Sequence, residues 1–302
     1  MVHCKMSLPT NAILERPSWF ALQFELRALE EGSIPRFLGP VFHGAFGHAL
    51  RESCVQLPQA IPLYDLCYER NSTSSPNRTQ PFLFDVHRDC GGNMRCGDGI
   101  RAQWIGKPIL ASAPAFLPAL LYSLKIMAAN GLGPDLVPFE LIAVRILPHP
   151  IFRPDDSGIN ILPAVYTFTD LQKPSDSERA EIKLETPTQL VSKNRILKSV
   201  DGPIFFRRLW QRIAAWGEFE LCSQIKPPFF DEIGVKCDET HWQLAERWSS
   251  RQQKRLDVSG LVGRVTFSGL DNFAWGLLRI GEQLHVGKNT TCGLGKYFIM
   301  EK

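Results

Sequence analysis

On either side of the stretch KPSDSERAE (173–181) the chain alternates strand-period and helix-period segments, so that each half can be read as strand, helix, two strands, helix, strand. In the first half WFALQFELRAL (19–29) alternates apolar and polar residues, which suits a strand with one buried face. FLGPVFHGAFGHALRES (37–53) then places Phe42, Ala45, Phe46, Ala49 and Leu50 on one stripe of a helix, with Gly44 and Gly47 on the other side. PFLFDV resumes strand character, ASAPAFLPALLYSLKIMAA (111–129) reads as a buried helix ending at Asn130-Gly131, and FELIAVRIL (139–147) reads as a strand with ILPAVYTFTDL as its hairpin partner. Residues 54–81 and 90–106 read as irregular. Beyond the linker come the strand EIKLETPTQLV, the helix PIFFRRLWQRIAAWGEF, two strands around Arg255 to Phe267, a short helix DNFAWGLLRIG, a glycine-rich loop and the strand KYFIM. Two βαββαβ units follow: an α+β fold of two tandem ferredoxin-like (RRM-like) domains with antiparallel sheets, the first over residues 1–175 and the second over 176–302.

With 302 residues, 44% of them hydrophobic and 22% charged, the chain has ample material for two cores, and a net charge of +3 neither demands nor excludes an anionic partner. The most apolar segment, 111–129, contains two prolines and a lysine, and the N-terminus has no apolar run of signal-peptide length. A cytoplasmic protein with no membrane partner is expected. The eight cysteines are scattered through a chain too long to need staples and are expected as free thiols. Cys54, Cys67, Cys90 and Cys96 lack a CxxC spacing, which leaves a four-ligand zinc site as the minor alternative and no metal as the expectation.

The stretch GEQLHVGKNTTCGLGKYFI (281–299) is rich in glycine, with four of them, and carries two lysines and a histidine. It is not a nucleoside-triphosphate loop, because five residues separate Gly281 from Gly287 and Asn289 stands where Ser or Thr would hold magnesium. Gly293 and Gly295 lead into a strand rather than a helix, which excludes a dinucleotide fingerprint. Two readings remain. Successive glycine N–H groups with Lys288 and Lys296 form a concave anion site, or the glycines serve a tight turn that returns the last strand to its sheet.

RWSSRQQKRLDVSGLVGRVTFSGL (247–270), LLRIGEQLHVGKNTTCGLGKYFI (277–299), LETPTQLV (184–191) and the helix at 37–53 together resemble a CRISPR repeat-processing endoribonuclease of the RAMP superfamily. The resemblance implies two ferredoxin-like domains that bind CRISPR repeat RNA and cut precursor crRNA once, with no metal or other cofactor. It also implies that Gly281, Gly287, Gly293 and Gly295 lie along the RNA backbone, and that other subunits of a CRISPR effector complex are possible partners. A non-catalytic RNA-binding subunit of such a complex, sharing the fold, is the alternative.

A metal-free ribonuclease uses the ribose 2′-hydroxyl as nucleophile and needs a base, an acid and a cation. Histidine suits either proton role, and the resemblance implies a catalytic histidine, or a substitute for it, in or near the first helix. His48 is the first candidate, since it lies farther from the apolar stripe than His43 and shares the open side with Gly44, Gly47 and Arg51; His43 is the second and His285, in the glycine loop, the third. Arg51, Arg251, Lys254, Arg255, Lys288 and Lys296 are the candidate phosphate contacts. Arg207, Arg208 and Arg212 read as the polar face of their helix.

Overall fold

The computed structural model describes residues 18–68, 80–86, 91–113, 115–146, 151–152, 166–167, 177–217, 230–249 and 254–300. The first sheet is built on β1 (Ser18–Ala28), β2 (Phe82–Val86), β3 (Gly99–Gly106) and β4 (Phe139–Ile146), in the order β2-β3-β1-β4 with every pair antiparallel, and the short strands Ile151–Phe152 and Tyr166–Thr167 extend it beside β4 and β1. Helices α1 (Gly39–Gln56) and α2 (Phe116–Ala129) connect β1 to β2 and β3 to β4. The second sheet, from β5 (Arg179–Thr188), β6 (Gly234–Gln243), β9 (Gly260–Ser268) and β10 (Tyr297–Met300), repeats that order as β6-β9-β5-β10. Its helices are α3 (Gly202–Trp216) and α4 (Asn272–Leu284). Two βαββαβ units with a central first and third strand make both sheets ferredoxin-like.

Local chemistry accounts for these elements. Pro40 opens α1, where its missing N–H costs nothing. The Asp201 and Asp271 carboxylates accept from the backbone N–H groups of Ile204 and Ala274 at 2.9 and 2.7 Å, capping α3 and α4. On α1 the buried residues are Phe42, Phe46, Ala49, Leu50 and Ser53, close to the expected stripe, and they meet Phe20, Leu22, Phe24, Phe82, Phe84 and Trp104 from the sheet. Ser53 is tolerated there because its hydroxyl donates to the Leu50 carbonyl and lies 2.9 Å from the Ser123 hydroxyl on α2.

Three segments differ from the sequence expectation. The stretch read as irregular near 99–106 is β3, whose Ile100, Ala102 and Trp104 point into the core while Arg101 and Gln103 point away. Residues 58–67 are helical, a 3-10 turn followed by Ile61–Cys67, rather than part of a loop. The sheet partner of β9 is β6, a strand mostly exposed and so lacking the apolar signal that would mark it. The strand seen near Arg255 is instead β8 (Lys254–Asp257), which among the described residues pairs only with β7 (Glu246–Ser249). The hairpin partner expected for β4 lies largely outside the described residues; its Tyr166–Thr167 pairs with the start of β1.

The two halves are fused along an extensive seam. Trp19, Ala21, Leu83 and Ile105, on the face of the first sheet turned away from α1, belong to the core of the second half. The Trp216 indole donates to the Ser18 carbonyl at 3.0 Å, and Lys107 Nζ donates to the Ala215 carbonyl at 3.3 Å. Asp85 on β2 and Lys296 before β10 form an ion pair at 2.5 Å, with side chains 16% and 4% exposed. The base of the β7–β8 hairpin is closed by bonds between Ala245 and residues Val258 and Ser259, and β7 packs against α1 of the first half.

Two glycines of α1 read the seam in opposite ways. A methyl group on Gly39 would stand 1.9 Å from the Cys292 carbonyl oxygen, whereas one on Gly44 meets nothing within 4 Å. Gly39→Ala is expected to lower the urea unfolding free energy by about 1–3 kcal/mol through overpacking. Gly44→Ala is expected to raise it by roughly 0.5–1 kcal/mol through helix propensity. Equal effects of the two changes would contradict the close approach at Gly39.

Candidate active site at the domain seam

His43 is the most constructed of the histidines. Its ring stacks on Phe82 at 5.6 Å with a 12° interplanar angle and meets the Tyr68 ring edge-on at 5.5 Å. Nε2 lies 2.9 Å from Gln80 Oε1, and the Tyr68 hydroxyl donates to the His43 carbonyl at 2.9 Å. With the Gln80 oxygen accepting, the proton sits on Nε2 and Nδ1 keeps its lone pair. Loss of water around the ring holds its pKa below the ordinary 6.5; the Gln80 bond opposes this and the charge of Arg247 adds to it. His43 is therefore a neutral imidazole at neutral pH.

His48 stands exposed on the same helix, as expected, and Arg51 is exposed one turn on. Five residues at about 100° each turn His48 roughly 140° from His43, so the two rings do not share a face. Of the small residues thought to open this side, Gly44 does so, but Gly47 is covered by the Tyr68 ring, 3.0 Å from where its side chain would begin. Tyr68 and Gln80, invisible as site residues in the sequence, flank the stretch 69–79, and only the fold brings them back to α1.

The second half contributes Arg247 on β7. Its Nε is buried without a hydrogen-bond partner, and its charge is felt at both His43 and Cys292. Sequence reasoning stopped at the basic run that begins four residues later, although Arg247 opens the stretch RWSSRQQKR on which the family resemblance rests. Lys254 and Arg255 on β8 are exposed, with Arg255 bound to Glu246 at 3.4 Å; Arg251 lies outside the described residues.

The glycine-rich segment is placed differently from an open anion site. Gly281 belongs to the last turn of α4, where a side chain would strike Leu209 at 2.2 Å and the Tyr297 hydroxyl at 2.4 Å. Gly287, Gly293 and Gly295 have φ of 90°, 75° and 73° and press on the carbonyls of Gln189, Phe84 and Val286. The N–H groups of Lys288, Gly293 and Gly295 donate to the carbonyls of Gln189, Thr290 and Pro187. Among the candidate cations here, Lys288 is exposed, while Lys296 is 3% exposed and holds Asp85.

His285 is fully buried with φ 63°; its Nδ1 lies 3.2 Å from the Leu294 carbonyl and its Nε2 has no partner. Burial pushes its pKa down to about 4, so it is neutral and shut away from solvent. Arg212, read as part of a polar face, is also buried: it donates from Nε to the Leu284 carbonyl at 3.0 Å, and burial lowers its pKa to about 9. Arg208 is likewise engaged, with the Val191 carbonyl.

Between the halves opens a cleft of about 450 Å³, walled by Arg36, Phe37 and Gly91 on one side and by Lys183, Glu185 and Gln243 on the other. Among the described residues no three His, Cys, Asp or Glu side chains are grouped to hold a metal ion, and no helix is long and apolar enough to cross a membrane.

The family model of the CRISPR-associated endoribonuclease Cas6 matches residues 182–297, and a second model, described as an N-terminal domain, matches residues 17–163. No curated protein sequence matches the chain. Among solved structures, a Cas6 product complex superposes over 94% of this chain and 100% of that one with TM-score 0.55 and 18% identity. Thermus thermophilus Cas6 does so over 93% and 98%, with TM-score 0.53 and 16% identity. A Cas6-related protein from Pyrococcus furiosus does so over 94% and 99%, with TM-score 0.50 and 12% identity. The Cas6 family model thus covers the second half of the chain, and the fold over both halves is that of the solved Cas6 structures.

Proposed function

We propose that the protein is a metal-independent endoribonuclease that binds CRISPR repeat RNA and cleaves precursor crRNA, with His43 as its general base. The observation that carries this reading is the His43 environment: a neutral imidazole, oriented by Gln80, between aromatic rings and beside an arginine from the other domain. Similar Cas6 proteins have been solved with product and with a substrate mimic, and another in a Cas6-RT-Cas1–Cas2 complex. RNA and other CRISPR proteins are the partners this supports.

In this reading His43 Nδ1 takes the proton of the 2′-hydroxyl preceding the cut. The 2′-oxygen forms a bond to phosphorus, the bond from phosphorus to the 5′-oxygen breaks, and that oxygen leaves with the electron pair and takes a proton from water. The products are a 2′,3′-cyclic phosphate and a 5′-hydroxyl. The cut RNA lies along the seam, where the exposed Arg51, Lys254, Arg255 and Lys288 meet phosphates and the open flank at Gly44 admits the strand. The exposed His48 lines that path, and buried His285 and Lys296 hold the seam rather than the reacting atoms.

The test uses a repeat RNA with one deoxyribose at the cut. In EDTA the natural RNA is expected to be cleaved and the substituted one to be bound but left whole. Cleavage of the substituted RNA, or a need for a divalent metal, would overturn the mechanism.

The histidine assignment is separable. His43→Ala should lower single-turnover cleavage by about a hundredfold or more with repeat affinity nearly unchanged, while His48→Ala stays within a fewfold of wild type. Because the His43 pKa lies below 6.5, the wild-type rate should be near its plateau at pH 7 and fall only as acid protonates the base. A His48→Ala variant with the larger loss would move the base to the open side of α1.

A further inference from the structure

The β7–β8 hairpin is carried by the second domain yet rests on a helix of the first. Its two faces differ. Trp248 is 57% exposed, whereas its strand neighbour Arg247, on the opposite face by strand alternation, is partly buried, and the strand packs against α1. Burial of a guanidinium nitrogen with no acceptor is costly, and such groups persist where a ligand supplies the missing partner. The first domain offers no carboxylate to Arg247 in any ion pair among the described residues. What it does offer is His43, a group that a basic neighbour makes harder to protonate.

We propose that Arg247 is a catalytic residue, the cation that binds the non-bridging oxygens of the scissile phosphate and stabilises the charge that grows on them during cleavage. The proposal rests on the endoribonuclease reading above. A guanidinium suits this task because it stays charged and presents a planar fork of donors to two phosphate oxygens. Its Nε has no acceptor among the described residues, and the terminal nitrogens of the fork are the donors a phosphate would meet. The arrangement also divides the chemistry between the halves: base from α1, charge stabilisation from the hairpin. Neither domain then cuts unless the seam holds β7 against α1.

The experiment is single-turnover cleavage of repeat RNA at saturating protein, with binding measured separately. Arg247→Ala is expected to cut about a hundredfold more slowly than wild type with affinity within about threefold, and Arg247→Lys about tenfold more slowly. Added guanidinium ion at low millimolar concentration should restore part of the Arg247→Ala rate and none of the His43→Ala rate, a result that a packing role would not produce. Unchanged cleavage in Arg247→Ala, or a loss that appears only in affinity, would overturn the proposal. So would a loss that guanidinium does not relieve and that accompanies a lowered unfolding midpoint, since that assigns Arg247 to packing. If the wild-type protein leaves repeat RNA uncut, it is the endoribonuclease reading that fails; if it cuts and Arg247→Ala cuts equally, only the role of Arg247 fails.

Discussion

The buried ion pair between Asp85 and Lys296 sets the geometry of everything around it. A lysine ammonium at 3% exposure is tolerated only beside an opposite charge, and the one it finds belongs to the other domain. To reach it, β10 must begin beside β2. That fixes the glycine-rich segment against the start of α1, where the Gly39 and Cys292 backbones touch and Gly293 presses on Phe84. The glycines serve an approach of chain to chain, and their positive φ values follow from the folding-back that this approach needs.

The same seam assembles the candidate site. Val258, Cys292 and Leu294 form a small buried cluster with Phe37 and Ala245, joining the hairpin base, the glycine-rich segment and the approach to α1. With the hairpin base held there, β7 lies on α1 and Arg247 comes into electrostatic reach of His43. His43 and Arg247, from separate domains, are thus brought together by the packing of the seam, the kind of rigid support that the proposed base and cation need.

Much of this was legible in the sequence, and the failures have physical causes. The repeated order of periodicities gives the fold, since α1, α2, α3 and α4 carry real apolar stripes. Strands β3 and β6 were missed for different reasons: β3 is bounded by Gly97, Gly99 and Gly106, which read as turn signals, while β6 is mostly solvent-facing and carries little hydrophobic signal. At the site, the helix stripe located His43 and His48 and ranked His48 as more exposed. It could not show that Tyr68 and Gln80, beyond a helix-and-loop excursion, return to enclose His43. Glycine spacing signalled a special segment but not which surface it approaches: an anion and a neighbouring carbonyl chain both demand a backbone without side chains.

The most direct test of the clamp is a double-mutant cycle on urea unfolding with Asp85→Leu, Lys296→Met and the two combined. If the pair joins the domains, each single change should lose about 3 kcal/mol, since it strands a buried charge, and the double variant should return to within roughly 1 kcal/mol of wild type. Losses that simply add, with the double variant the weakest of the three, would contradict the claim that these two side chains hold the seam.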